Sequence, residues 1–351
     1  MKALTGADLI ARHGIANALA NHSRGVDRAD FNLLSAAYHP DATVDYGFFA
    51  GPAETLATIL AEAQKSSLPT LHRTSNIWIK RTGDSATSES YVTAYIEDEK
   101  LQRIVLGRYL DRHECRDGEW RLSHRTYIVD GNSNRTSTVQ RADPPVSHDN
   151  YVPEGGKGAA DAGRALLAHH IASTRHLQGA TSMSADSAAL DAALSRAAIH
   201  DLAMAYSRAV DRADPELMRS IFWDDSTVIS GIINGNGSEF AEQICAFVTA
   251  NLEYCFHSVA NEWIEVKGDH AVGEHYVIAQ MTIGGQDVMT GGRYLDSYER
   301  RKGVWKIKSR TFVTDCNSTH PTTLQRDDFY EALKNWGSFG KNDPVYAHWG
   351  A

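Results

Sequence analysis

Two aspartates and two histidines carry the chemistry that stands out in this chain. Asp27 lies in Gly25-Val-Asp27-Arg-Ala-Asp30, and Asp211 lies in Ala209-Val-Asp211-Arg-Ala-Asp214. His72 opens His72-Arg-Thr-Ser-Asn76, and His257 opens His257-Ser-Val-Ala-Asn261. The aspartates are 184 residues apart and the histidines 185, so a single inserted residue separates two copies of one pattern. A carboxylate beside an imidazole fixes its tautomer, orients the ring and stabilises the imidazolium once a proton has been taken. In a pocket that excludes water such a pair is a general base, typically worth about 10²–10⁴-fold. From the residues alone two readings stay open: a catalytic dyad, or a structural hydrogen bond that duplication has preserved.

Other polar and aromatic groups recur in the same frame. A regular strand after His72 would place His72, Asn76 and Trp78 on one face, and His257, Asn261 and Trp263 on the other copy's equivalent face. A later strand brings Glu89, Tyr91 and Tyr95, mirrored by Glu274 and Tyr276. The last strand brings Arg125 and Tyr127, mirrored by Arg310 and Phe312. His22 and Tyr206 put polar tips on otherwise apolar helix stripes. The expected substrate-facing set is therefore Tyr46, Asn76, Trp78, Tyr91 and Tyr127 in copy one, with Asn261, Trp263 and Tyr276 in copy two. Either arginine, or a tyrosine hydroxyl, is suited to developing negative charge on a leaving group. The competing reading of each arginine is a salt bridge, to Asp130 or Asp315 or to a neighbouring strand. Trp120 and Trp305 follow turns and read as core.

The elements that must position these groups can be traced from periodicity. Ile15, Leu19, His22 and Val26 recur at three- and four-residue steps, as do Ile199, Leu202, Tyr206 and Val210, so each copy opens with an amphipathic helix. A short second helix follows through Leu33 or Leu217, then a strand near Thr43–Tyr46 and a helix over 54–64. The remainder of each copy holds strand signals broken by turns at Gly83-Asp84, Asp117-Gly118, Gly268-Asp269 and Lys302-Gly303. Helices first and strands after give an α+β layout, with helices packed on one face of a curved, mainly antiparallel sheet. The expected organisation is copy one over 1–143, a linker with a helix over 144–190, copy two over 191–328, and an aromatic tail over 329–351. The tail, with Tyr330, Trp336, Phe339, Tyr346 and Trp349, is apolar enough to dock over a cavity mouth or on another subunit.

Composition narrows the partners. A chain of 351 residues with 42% hydrophobic and 23% charged residues has room for two domains with their own cores. A net charge of −9, with no basic run, argues against nucleic acid. No stretch is apolar enough to span a bilayer, and the start has no signal-peptide core, so a cytoplasmic protein is expected. The four cysteines show no CxxC spacing, which points to neither a metal site nor a disulfide frame.

The ordered set of Val-Asp-Arg-Ala-Asp, Asp41-Ala42 or Asp225-Ser226, His-x-x-x-Asn, and Gly-x-Trp followed by Arg resembles the SnoaL-like branch of the nuclear transport factor 2-like superfamily. That branch includes scytalone dehydratase, bile-acid dehydratase, polyketide cyclases and hexachlorocyclohexane dehydrochlorinase. The resemblance implies two tandem cone-shaped α+β barrels, each around a deep apolar pocket, and elimination without a cofactor by an Asp-His dyad. Carried over residue by residue, it makes Asp27 with His72, and Asp211 with His257, the dyads. It makes Arg125 and Arg310 the leaving-group arginines. The dehydrochlorinase's helix lysine falls at His22 and Tyr206; neither is Lys, which suits departure of hydroxide better than of halide. Copy one carries Asp45 and Tyr46 where copy two has Ile229 and Ser230, so the two pockets differ chemically.

The leading expectation is a cofactor-independent lyase that dehydrates an aromatic or polycyclic hydroxylated small molecule. A close variant removes a hydroxyl and then formaldehyde from a lignin-derived diaryl compound. A ligand-binding or scaffold protein, and an isomerase or cyclase using the same dyad, are the alternatives. The two copies are expected to pack as an intramolecular pseudo-dimer, with further homo-oligomerisation open.

Overall fold

The computed structural model describes residues 4–67, 70–137, 187–231 and 233–350, the side chains at 187–189, 315 and 316 excepted. The linker signals at 144–158 and the helix expected over 159–176 lie outside the described residues. The first half runs α1 (Gly6–Asp27), α2 (Phe31–Ala36), β1 (Tyr38–Asp45), β2 (Ala50–Pro52) and α3 (Ala53–Lys65). It continues with β3 (Leu71–Thr82), β4 (Ser85–Glu97), β5 (Leu101–Arg116) and β6 (Glu119–Thr136). The second half repeats this as α4 (Ser187–Asp211), α5 (Pro215–Ser220), β7 (Phe222–Ile229), β8 (Asn234–Gly235) and α6 (Gly237–Asn251). It then adds β9 (Leu252–Lys267), β10 (His270–Ile283), β11 (Gln286–Arg301) and β12 (Val304–Pro321), and the tail ends in α7 (Pro344–His348).

Each half has one six-stranded sheet, ordered β2-β1-β6-β5-β4-β3 and β8-β7-β12-β11-β10-β9. All pairs are antiparallel except β1 with β6 and β7 with β12. The α+β layout is as expected, but the sheets are open, with β2, β3, β8 and β9 as edges, and are not closed barrels.

The repeated Val-Asp-Arg-Ala-Asp is a turn as well as a candidate site. Ala29 and Ala213 both take a left-handed conformation at φ 51, which ends the helix after Asp27 and Asp211. The second aspartate of each motif then caps the following helix: Asp30 accepts from the amides of Asn32 and Leu33, and Asp214 accepts from that of Leu217. The first aspartate is thereby left at the helix end, turned toward the start of β3 or β9.

A bulge overturns the expected strand parity. Ser75 pairs with Tyr91 but Trp78 pairs with Glu89, so β3 carries one extra residue there. Asn76 sits in the bulge at φ 47, and Asn261 occupies the same place in β9 at φ 48. An extra residue flips every later side chain to the opposite face. His72 and His257 therefore face inward, whereas Trp78 and Trp263 face out with Tyr91 and Tyr276.

The outer face of the first sheet is where the second half and the tail pack. Asn76 donates to the carbonyl of His257 at 2.7 Å and accepts from the amide of Val259 at 2.7 Å. Tyr91 stacks on Phe256 with ring centroids 4.8 Å apart. A buried ionic cluster lies beside them. Arg108 forks onto Asp130 (2.8 and 2.9 Å) and Asp343 (2.9 and 2.7 Å) and reaches Glu89 at 3.1 Å. From α4, Arg208 donates to Glu89 at 2.5 Å, and Arg212 bridges Asp130 at 2.9 Å and Asp343 at 3.1 Å. Three guanidiniums thus meet three carboxylates; removing one member of such a set typically costs about 3–5 kcal/mol, because the others stay buried and uncompensated.

The aromatic tail docks twice. Tyr330 and Leu333 pack on Ala94, Val105 and Val129 of the first half, and Trp336 joins that cluster. Val345 and Tyr346 then cover Leu110 and Ile128 on the outer face. Gly337 lies at the crossing, where a β-carbon would fall 1.8 Å from Asp130 Oδ1. Gly337→Ala should therefore lower the thermal midpoint measurably by calorimetry. Gly6→Ala, whose added methyl meets nothing within 4 Å, should leave it unchanged or raised.

Candidate active site

The two halves build the same Asp-His geometry. Asp27 Oδ1 lies 2.7 Å from His72 Nδ1 while Oδ2 accepts from the His72 amide at 2.9 Å. Asp211 Oδ1 lies 2.6 Å from His257 Nδ1 and Oδ2 accepts from the His257 amide at 2.9 Å. A carboxylate can only accept, so each Nδ1 carries the proton and Nε2 carries the lone pair of a base. Burial by itself would raise the Asp211 carboxyl; His257 and Arg212 beside it outweigh that and hold it below the ordinary value. Thr70 also donates to Asp27 Oδ1, at 2.9 Å. Its counterpart Cys255 has Sγ 3.6 Å from His257 Nδ1.

Each arginine is locked to a carboxylate on the neighbouring strand. Arg125 forks onto Asp111 at 2.7 and 2.8 Å, and Arg310 onto Asp296 at 2.8 and 2.6 Å. The salt-bridge reading named Asp130 as a partner, but Asp130 belongs to the Arg108 cluster; the partner of Arg125 is Asp111. In both arginines Nη1 is buried without a hydrogen-bond partner. The Arg310 guanidinium stacks 4.0 Å from the Tyr206 ring centroid and 4.2 Å from that of Tyr294.

The second half encloses an apolar cavity of about 140 Å³. Its base is His257, its hydroxyls come from Tyr206, Ser230 and Thr290, and its apolar wall includes Phe240, Phe247 and Phe312. Burial pushes the Tyr206 phenol up to about 12 although Arg310 pulls it down, so it is a neutral donor at neutral pH. Arg310 is not on the cavity surface; it lies behind Tyr206 and Tyr294.

The first half is wired differently. His22 is fully buried, with Nδ1 3.2 Å from the Tyr38 hydroxyl and Nε2 3.2 Å from that of Tyr46. Burial, then Arg125 and His72, hold its pKa well below the usual imidazole value, so it is a neutral ring between two phenols. Tyr127 completes this aromatic nest, 5.5 Å from Tyr46 and 5.6 Å from Tyr109. His72 and Asp27 also border a cleft of about 320 Å³ with Arg24, Arg28 and Thr74.

Of the residues expected to touch substrate, the structure brings Tyr46 and Tyr127 inside and six others elsewhere. Asn76 is used on the β9 backbone. Trp78 is buried under Arg208 and Trp349, 4.0 Å from the first and 5.2 Å from the second. Tyr91 lies between the halves, and Trp263 and Tyr276 are exposed on the outer face. Asn261 is exposed in its bulge. The bulge is the common cause for the asparagines and tryptophans; for Tyr91 and Tyr276 the parity of β4 and β10 suffices. Sequence reasoning missed Asp111, Asp296, Tyr38, Tyr294 and Cys255, although Asp111 and Asp296 each close a Gly-Arg-Tyr-Leu-Asp segment, at 107–111 and 292–296, whose repetition could have marked them.

Among the described residues, Asp211, Cys255 and His257 are the group whose ligand atoms could converge on a metal, all within 4.8 Å. Burial, and Asp211 beside it, push the Cys255 thiol well up. The same atoms satisfy the Asp-His pair.

The SnoaL-like domain pattern matches residues 7–126 and again 191–311, so the chain belongs to that family twice over. It is similar to gamma-hexachlorocyclohexane dehydrochlorinase of Sphingobium indicum, 32% identical over 131 residues, which is 36% of this chain and 84% of that enzyme. It is also similar to hexachlorocyclohexane dehydrochlorinase 1 of the same species, 31% identical over 123 residues, covering 34% and 80%. Among solved structures, a hexachlorocyclohexane dehydrochlorinase from Novosphingobium barchaimii aligns at 29% identity over 36% of this chain and 90% of that one, with a TM-score of 0.34.

The depressed Asp211 carboxyl has a stability consequence of fixed sign. Its stabilisation is fully present above the ordinary aspartate value of about 3.9 and is lost as pH falls through the lower folded value. In urea titrations Asp211→Asn should be clearly less stable than the parent at pH 7, and the gap should close as pH drops below that range. A gap constant down to pH 3 would contradict the assignment.

Proposed function

We propose that this protein is a cofactor-independent elimination lyase acting on a hydroxylated aromatic small molecule, and that the second half carries the turnover. The observation that carries the reading is the apolar cavity with the Asp211–His257 pair on its wall and a neutral phenol, Tyr206, also lining it. The dehydrochlorinase relatives support elimination as the reaction class. A cavity walled this way favours catalysis over a scaffold role.

His257 Nε2 takes a proton from the carbon adjacent to the leaving group, and Asp211 stabilises the imidazolium that forms. As the carbon–oxygen bond breaks, Tyr206 gives its proton to the departing hydroxyl, which leaves as water. Arg310, behind the ring, stabilises the transient phenolate. Transfer of the imidazolium proton to the phenolate restores both groups, so the cycle is proton-neutral and needs no redox partner. A halide needs no such proton, and the Tyr206 position lacks the cation that would attract one.

Size constrains the substrate. An apolar cavity of about 150 Å³ holds one benzene ring, so the 140 Å³ here suits a single ring at the reacting end. Any second ring of a diaryl or polycyclic substrate would extend through the mouth. In the first half Asp27, His72, Arg125, His22 and Tyr46 form a second, more polar constellation of the same type; with the second half it would make an intramolecular pseudo-dimer of unlike pockets.

On phenolic and benzylic alcohols, His257→Ala should lower kcat/KM by about 10²–10⁴-fold, and His72→Ala should lower it far less. Equal mild losses in both, or no loss with His257→Ala, would sink the assignment to the second half. Formaldehyde in the product mixture would mark the deformylating variant, and its absence with an alkene product would mark simple dehydration.

A further inference from the structure

A chain of hydrogen bonds runs from the surface of the second half to the back of its cavity. His200 of α4 places Nε2 2.9 Å from the Ile77 carbonyl of β3 and Nδ1 2.5 Å from Glu262 Oε2. Glu262 Oε1 lies 3.1 Å from His275 Nδ1, and His275 Nε2 lies 2.8 Å from the Tyr298 hydroxyl. Tyr298 donates at 2.7 Å to Asp296 Oδ2, which also takes the Arg310 fork. His275 and Tyr298 are buried, whereas the His200 and Glu262 side chains are 26% and 23% exposed, so the chain opens to water at that end. Gly273 makes room for it, since a β-carbon there would fall 2.9 Å from His275 Nε2.

Counting hydrogens sets the charge of this chain. Its five contacts, from the Ile77 carbonyl to Asp296, need five hydrogens. Two neutral imidazoles and one phenol supply three, because a carbonyl and two carboxylates only accept. Burial would raise the Glu262 carboxyl, but the two rings beside it hold it well below the usual range, so it stays an acceptor. Both rings must then be imidazolium for every contact to be made. Burial alone would lower the His200 pKa; Glu262, then Asp201 and the Ile77 carbonyl, outweigh it and raise it. Among the described residues, the charged groups facing the two rings are Glu262 from β9, Asp296 from β11 with Arg310 from β12 behind it, and Asp201 from α4 with its partner Arg12 from α1. With both rings charged, His200, Glu262, His275, Asp296 and Arg310 carry one net positive charge; with both neutral they carry one net negative charge.

The first half has no equivalent. Ala16, Ile77 and Ser90 stand where the second half has His200, Glu262 and His275, and His113 stands at the place of Tyr298. Burial holds His113 down at about 4, a neutral ring whose Nε2 lies 2.8 Å from the Ser88 hydroxyl.

We propose that His200, Glu262, His275 and Tyr298 form a proton-loaded relay that acts through Asp296 and Arg310 on Tyr206, which makes His275 and Tyr298 positioning residues for proton donation in the second half. This rests on the reading of Tyr206 as the donor. When His275 loses its proton, outward through Glu262 and His200, its Nε2 becomes an acceptor and competes with Asp296 for the single Tyr298 hydrogen. Either Tyr298 turns away, leaving Asp296 to neutralise Arg310 more fully, or two lone pairs face each other at 2.8 Å. In both cases the positive field on the Tyr206 phenol falls; beyond burial, Arg310 pulls that phenol down and Asp296 pushes it up. Proton donation therefore slows as pH rises.

Nuclear magnetic resonance on the full chain, with isotope-labelled histidine and tyrosine rings, tests this without substrate. At pH 7 His200 and His275, assigned by the signals lost in His200→Gln and His275→Gln, should each carry hydrogen on both nitrogens. A neutral ring at either position overturns the proposal. As pH rises, the Tyr206 ring signal should step where His275 loses its proton. In Tyr298→Phe that step should vanish while the step that follows His257 stays. A Tyr206 signal blind to His275, or a step that survives Tyr298→Phe, overturns the proposal as well. On a benzylic alcohol, kcat of the parent should fall over the same pH range. Tyr298→Phe should lower kcat by about tenfold, the effect of roughly one pKa unit on the donor, with KM little changed and the fall abolished. A kcat profile that this variant leaves unaltered counts against the relay. If the rings and Tyr206 respond as expected but no alcohol turns over, the lyase reading falls and the relay stands.

Discussion

One carboxylate that accepts two hydrogen bonds from a single residue organises each half of this molecule. Asp27 takes both the backbone and the ring N–H of His72, and Asp211 does the same for His257. The backbone bond ties the end of the long helix to the edge strand, and the ring bond aims the imidazole. Structure and chemistry therefore share one side chain. That sharing explains why the residues alone could not separate a structural hydrogen bond from the proposed dyad: one geometry would serve either.

The elements were legible in the sequence because each was signalled locally. Helical periodicity with apolar residues at Ile15, Leu19 and Val26, and turn pairs such as Gly83-Asp84, each act within a few residues. The candidate dyads were legible because repetition marked them. The substrate wall was misjudged where the chain departs from its period. One left-handed asparagine, at 76 or 261, shifts the strand by a residue and turns a tryptophan from the inside to the outside. Nothing local in His-x-x-x-Asn-x-Trp signals a bulge except the asparagine, which tolerates positive φ better than most residues. The helix α6 wall, with Phe240 and Phe247, was missed because an amphipathic helix does not say whether its apolar face meets side chains or a cavity.

Duplication relaxes constraints that one copy would have to satisfy alone. Both halves keep the helix-end carboxylate, the histidine and the buried arginine–aspartate fork. The groups around them have diverged: a neutral histidine held by two phenols in the first half, a tyrosine against phenylalanines in the second. The first half also accepts the tail on both sides of its sheet, and its outer face holds the ionic cluster of Arg108, Arg208 and Arg212 with Glu89, Asp130 and Asp343. Buried charge of that density is weak evidence for extra stability, because desolvation offsets most of the attraction. It is better evidence for register. Each guanidinium fork has a fixed geometry, so the tail and α4 can seat on the first sheet in one way.

The placement of Arg310 follows from the same balance between charge and water. A guanidinium directly on a 140 Å³ apolar wall would hold water there and raise the effective dielectric around the base. Set behind Tyr206 and Tyr294, with its charge answered by Asp296, it keeps the cavity lining apolar while its field still acts on the phenol. Burial would otherwise push that phenol higher, and the cation counters the push. The proposed proton donor is thus tuned from outside the cavity, and the space left for a substrate is shaped by rings, hydroxyl-bearing side chains and one imidazole.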